Sequence, residues 1–101
     1  MIHIEVQYFN GCPNSDEMIK HVREAIKKIS QKVDYEEILV DNSKKAQYYK
    51  FRGSPTVLVN GHDLEGLPEP NIASLACRYY RDGIPSTETI INFIQHMEKN
   101  Q

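Results

Sequence analysis

Cys12 and Cys77 are the residues of this sequence best suited to covalent chemistry, because a thiolate is both a strong nucleophile and a soft-metal ligand. Cys12 sits in Tyr8-Phe9-Asn10-Gly11-Cys12-Pro13-Asn14-Ser15, where an alternating apolar segment breaks and a helical spacing begins. Pro13 suits a first helical position, which makes Cys12 the expected N-cap. There, unpaired amides and the positive end of the helix dipole favour the thiolate. Ser15 can turn its hydroxyl and N–H toward the sulfur, as an N3 group does toward an N-cap. Asp16 and Glu17 oppose this effect, and a helix terminus is worth only roughly 0.3 to 1 kcal/mol, less than one pKa unit. Cys77 is followed by Arg78, Tyr79, Tyr80 and Arg81, whose guanidinium groups can hold a carboxylate or raise the thiolate fraction of a nearby sulfur. The apolar stretch Ile72-Ala73-Ser74-Leu75-Ala76 before it also suits a cysteine that merely fills a core. His3, His21, His62 and His96 do not recur at ligand spacing, and no C-x-x-C or H-x-x-H pair exists, so a closed zinc site is not expected.

The elements that must position these sulfurs follow from periodicity. Ile2, Ile4, Val6 and Tyr8 alternate with polar residues and read as a strand ending at Asn10-Gly11. Met18, Ile19, Val22, Ala25, Ile26, Ile29 and Val33 recur at three- and four-residue intervals, which predicts a helix from Pro13 onward. Tyr35 to Val40 form a second strand, and the run Ile38-Leu39-Val40 suggests burial on both faces of a parallel pair. Asn42 or Ser43 can cap a short helix through Phe51, with Gly53 ending it in the left-handed conformation. Thr56 to Val59, the turn Asn60-Gly61 and His62 to Leu64 read as a hairpin. A closing helix starts near Ser86 and carries Ile90, Ile91, Phe93, Ile94 and Met97 inward. Residues 65–85 form a long loop, with a helical turn expected around Asn71 to Leu75, and a loop of that length suggests a functional segment. Tyr48, Tyr49, Phe51, Tyr79 and Tyr80 read as packing residues.

A chain of 101 residues suits one domain, 1–101, and 40% apolar with 26% charged residues favours a packed core over disorder. A net charge of −2 supplies no basic field, so neither nucleic acid nor a membrane surface is an expected partner. The N-terminal stretch has no basic leader or apolar h-region and no run is long enough to span a bilayer, which makes the cytoplasm the default location. In a reducing cytosol two cysteines are expected to be free, reactive or metal-binding.

The order strand, helix, strand, short helix, hairpin, helix resembles that of the thioredoxin superfamily, and two motifs sharpen the likeness. Tyr8 to Ser15 resembles the active-site turn in which a cysteine opens the first helix. Gly53-Ser54-Pro55-Thr56 resembles the cis-proline loop leading into the third strand. The resemblance implies an α/β thioredoxin-like fold, a four-stranded mixed sheet flanked by helices in the order β-α-β-α-β-β-α. It implies a cis Pro55 that bares the Ser54 backbone beside the sulfur, where an extended substrate can pair. The second cysteine of the dithiol motif is replaced by Ser15, giving the monothiol form C-P-N-S. Gly53 to Gly61 with Asp63 and Cys77-Arg78-Tyr79-Tyr80 is also similar to a bacterial thioredoxin-like group labelled alkylmercury-lyase-like, which implies that Cys77 belongs to the site. In this topology residues 65–85 leave the fourth strand at the Cys12 end and are placed to form a lid.

The expected function is therefore that of a thiol-disulfide oxidoreductase. Cys12 attacks, Ser15 and the helix terminus stabilise the thiolate, and Ser54, Pro55 and Arg78 bind the partner. Cys77 or glutathione resolves the adduct, and no cofactor is called for. The partner is a thiol or disulfide protein or glutathione. A second reading is a non-catalytic module that holds mercury or copper between two thiolates, or that binds a protein.

Overall fold

The computed structural model describes residues 1–99. Strand β1 (Ile2–Tyr8) is the centre of a four-stranded sheet, because its alternation buries Ile2, Ile4 and Val6 on one face and leaves its backbone free to pair on both edges. β2 (Val33–Leu39) lies parallel to it, in register from Ile2 opposite Val33 to Tyr8 opposite Leu39. β3 (Thr56–Val59) runs antiparallel on the other edge, Gln7 opposite Thr56 and Ile4 opposite Val59. The two-residue strand β4 (His62–Asp63) completes the order β2-β1-β3-β4. Asn60 and Gly61 both take positive φ, as a two-residue hairpin turn requires. This is the mixed α/β sheet of a thioredoxin-like fold.

Helices α1 (Ser15–Lys28) and α3 (Thr87–Lys99) cover the face carrying Ile2, Ile4 and Val6. Met18, Val22, Ile90 and Ile94 are fully buried there, each side chain contributing about 1.5 to 3 kcal/mol. Ser86 opens α3 by accepting the Thr89 amide at 3.1 Å on its hydroxyl. Ile38 has the opposite parity on β2, and with Phe9, just past the end of β1, it joins a second cluster with Val40, Ala46, Phe51 and Ala73, which seats helix α2 (Ser43–Tyr49).

Several sequence expectations change. α1 begins at Ser15 behind the N-cap Asn14, not at Pro13, since Cys12 to Ser15 form a turn closed by the Ser15 amide on the Cys12 carbonyl (3.3 Å). Val33 belongs to β2, because α1 ends at Lys28 and Ile29 is already extended. β2 is an edge strand rather than one buried on both faces, and Asp34 and Glu36 alternate outward along it. Lys50, not Gly53, takes the left-handed position after α2. No helical turn forms around Asn71 to Leu75: Ala73 and Leu75 turn inward while Ile72, Ser74 and Ala76 stay exposed, a period of two that only extended chain produces. Tyr80 packs in the core as expected, but Tyr48 and Tyr79 are largely exposed.

Candidate active site

The site forms where β1 ends, α1 begins and β3 starts, brought together by the register that places Thr56 beside Gln7. Ser54 is the fastener. Its hydroxyl accepts the Phe9 amide at 2.8 Å and lies 2.8 Å from the Ser15 hydroxyl, so three separate chain segments share one buried polar contact. Ser15, expected to face the sulfur, thus commits its hydroxyl to Ser54. The Ser54–Pro55 peptide bond is cis.

Cys12 and Cys77 are joined by a disulfide, with Cα atoms 5.5 Å apart. The second sulfur comes from 65 residues along the chain rather than from position 15. Main-chain pairing holds it in place. The Ser54 amide donates to the Ala76 carbonyl and the Arg78 amide to the Ser54 carbonyl, both at 2.8 Å, so residue 77 bridges Ser54 as a parallel strand would. This corrects one expectation directly: the Ser54 backbone is not bare for an extended substrate, because the chain's own residues 76–78 already fill that edge. The part of segment 65–85 around Cys77 is consequently a strap bound along the site's edge.

Arg78 anchors the strap. Its guanidinium makes a two-pronged pair with Asp63 at 2.7 and 2.8 Å, reaches the Thr56 hydroxyl at 3.3 Å and lies 4.7 Å from the centre of the Tyr80 ring. The two side chains are only 7% and 1% exposed, so this is a buried ion pair. Burial pushes the Asp63 carboxyl up, but Arg78 and the amides of Leu67 and Glu65 outweigh it and hold it below its usual range. Burial likewise pulls Arg78 down, and Asp63 more than restores it. Arg78 was expected to bind the partner; its guanidinium instead serves Asp63. Tyr80 donates its hydroxyl to the Pro55 carbonyl at 2.5 Å, and burial raises its phenol well above the ordinary value. Gly53, with φ of +104°, lies under the strap so closely that a Cβ there would stand 2.9 Å from that of Arg78.

Cys12, Pro13, Asn14, Ser54, Cys77, Arg78 and Tyr79 surround a shallow depression of about 220 Å³. Arg81 is exposed and is not among the residues that line it. The structure brings together both sulfurs, Ser54 and Pro55, all singled out in the sequence, and adds Asp63, Thr56 and Tyr80 as supports that the sequence reading did not place there. A carboxylate between His62 and the apolar Leu64, just after the Asn60-Gly61 turn, was the available signal for Asp63, since a carboxylate that such a hairpin buries needs a charged partner.

The histidines scatter as expected, but His3 is not isolated. Its ring lies 3.0 Å from Asp34 and 3.6 Å from both Glu5 and Glu36, at the end of β1 remote from Cys12. Burial is the largest single influence and lowers its pKa, but the hydrogen bonds and charges of Asp34 and Glu5 together outweigh it and leave the imidazole raised above its ordinary value. Among the described residues no helix is long and apolar enough to cross a membrane.

A family profile described as a thioredoxin domain matches residues 2–72, which takes in Cys12, Ser54 and Pro55 and stops short of Cys77. A solved structure titled "Structure of a malarial protein" superposes with a TM-score of 0.59 over 95% of this chain and 96% of that one, at 13% identity, and so shares the fold. No curated protein matches the chain. With the profile spanning most of the sequence and the sheet order, helix positions and Cys12 turn in place, the chain belongs to the thioredoxin-domain family.

Proposed function

We propose that this protein is a thiol-disulfide exchange protein that cycles between the Cys12–Cys77 disulfide and the corresponding dithiol. The observation that carries the reading is the bond itself: it joins the turn at the entry to α1 to a segment paired with Ser54, beside Pro55. A bond needed only for stability has no reason to sit at the helix entry, whereas a thiolate released there meets the positive end of the α1 dipole. Reduction adds two electrons and two protons to the sulfur pair. The partner is a protein or small thiol, glutathione included, and no cofactor takes part. In a reducing cytosol the pair rests as the dithiol and is oxidised by its substrate. The likeness to the bacterial alkylmercury-lyase-like group supports this reading only in adding Cys77 to the site.

The test is equilibration in thiol buffers of graded potential, acid quench, alkylation and mass measurement. One two-electron transition that requires both cysteines, at a potential of roughly −270 to −200 mV, supports exchange. A bond that stays closed below about −300 mV, as structural disulfides do, or one that never closes, refutes it.

A further inference from the structure

The two sulfurs are not equivalent. Cys12 is 7% exposed, while Cys77 lies on the outer side of the strap and is exposed. A thiolate must approach the sulfur it attacks along the S–S axis, from the side opposite the leaving sulfur. Cys77 is the more exposed of the two residues and Cys12 the buried one. A groove of about 370 Å³, walled by residues 51–53 and by the strap from Leu67 onward, counts Cys77 but not Cys12 among its lining residues. Ile72, 82% exposed, and Leu67 give this groove an apolar rim. The depression that touches Cys12 also touches Cys77, so it gives Cys12 no access that Cys77 lacks. The approach along Ser54 is closed, because residues 76–78 hold both its amide and its carbonyl.

Resting on the exchange reading, we infer that Cys77, and not the helix-entry cysteine, is the sulfur at which outside thiols and disulfides enter, with Cys12 as leaving and resolving group. When a donor dithiol reduces the protein, one donor thiolate attacks Sγ of Cys77. The donor–Cys77 S–S bond forms, the Cys77–Cys12 bond breaks, and the electron pair departs on Cys12 as a thiolate. The second donor thiolate then attacks the donor's own bonded sulfur, closes the donor disulfide and releases Cys77 as a thiolate. In the opposite direction the Cys77 thiolate attacks a substrate disulfide and expels one substrate thiolate. Cys12 then attacks Cys77 and expels the other. The address of Cys12 suits this role: a leaving thiolate departs faster when its charge is stabilised, and α1 begins three residues on.

The experiment is a brief pulse of substoichiometric iodoacetamide on the reduced wild-type protein, followed by tryptic mapping. Cleavage after Lys20 and Arg78 puts the two cysteines in different peptides. Label on Cys77 in excess over Cys12 by about tenfold or more is expected from the difference in access. In parallel, Cys12→Ser and Cys77→Ser are exposed to oxidised glutathione. The first is expected to form a persistent mixed disulfide on Cys77, the second to react slower by a similar factor. Equal labelling, label mainly on Cys12, or a Cys77→Ser variant that reacts as fast as Cys12→Ser overturns the assignment. The wild-type arm does not depend on either variant folding. A normal redox titration with label on Cys12 refutes the entry assignment alone, whereas a failed titration refutes the exchange reading itself.

Discussion

Asp63→Asn removes one charge from the site's support with almost no change in volume, and it leaves Arg78 as an uncompensated cation in a region where its side chain is 7% exposed. Breaking a buried ion pair by removing one partner costs about 3 to 5 kcal/mol. The asparagine oxygen can still accept from the Glu65 and Leu67 amides, now at 2.9 and 3.1 Å, so the lower end applies, about 3 kcal/mol. That is a large share of the roughly 5 to 15 kcal/mol that holds a domain together, and it corresponds to a fall in Tm of about 12 to 24 °C for a domain of this size. The pH dependence gives a second handle. Asp63 has a folded pKa below its ordinary value, so its contribution is fully present above about 3.9 and is lost as pH falls through the folded value. The asparagine variant lacks that acid limb. Urea unfolding at neutral pH and between about pH 2 and 5 measures both effects. A double variant, Asp63→Leu with Arg78→Met, separates the ion pair from its surroundings, because apolar residues of similar volume commonly replace a buried pair at little cost. Recovery of most of the lost stability is expected. A single variant within about 0.5 kcal/mol of wild type, the range of an ordinary surface change, would refute the claim that this pair anchors the strap.

Two further outcomes follow from the same geometry. Gly53→Ala combines a positive φ with a Cβ that meets the backbone-fixed Cβ of Arg78, so a loss of about 1 to 3 kcal/mol in urea unfolding and slower re-closure of the disulfide by air or glutathione are expected. Reducing the Cys12–Cys77 bond releases a constraint across 65 residues, worth about 4 kcal/mol by loop entropy, so the reduced protein and Cys77→Ser should both unfold at lower denaturant; identical midpoints for oxidised and reduced protein would contradict this.

Most of the architecture was legible because its signals are local. The alternation of Ile2, Ile4 and Val6, the spacing of Met18, Val22 and Ala25, and the Asn60-Gly61 turn each report a backbone geometry within a few residues. The boundaries that moved did so where one residue suited two states: Val33 continues a helical spacing and equally starts a strand, and the strand won because it pairs with Ile2. Ile38 to Val40 looked like a strand buried twice over, yet Ile38 and Val40 serve the α2 cluster while Asp34 and Glu36 mark the edge. The strap was the least legible part. Its order comes from Asp63, Ser54 and Pro55, partners 15 to 25 residues away that leave no periodic trace. Its short run of alternation at Ile72 to Ala76 was readable as a helical turn because apolar and small residues there satisfy either period.

The position of the second sulfur changes what the redox couple depends on. In a C-x-x-C turn both sulfurs belong to one rigid element, and closure needs nothing beyond that turn. Here position 15 holds a serine that buttresses Ser54, and the partner sulfur arrives on a strap held by Arg78 on Asp63, Tyr80 on Pro55 and two main-chain bonds on Ser54. The effective concentration of one sulfur at the other is therefore set by how firmly the strap is docked, with a docking loss of 1.4 kcal/mol lowering it tenfold. Anything that loosens those contacts shifts the couple toward the dithiol without touching either cysteine, while anything that seats the strap more firmly favours the disulfide. On the proposed reading the Arg78–Asp63 pair, which exchanges no electrons itself, is where the poise of this protein is set, and Asp63→Asn should raise its reduction potential as well as lower its stability.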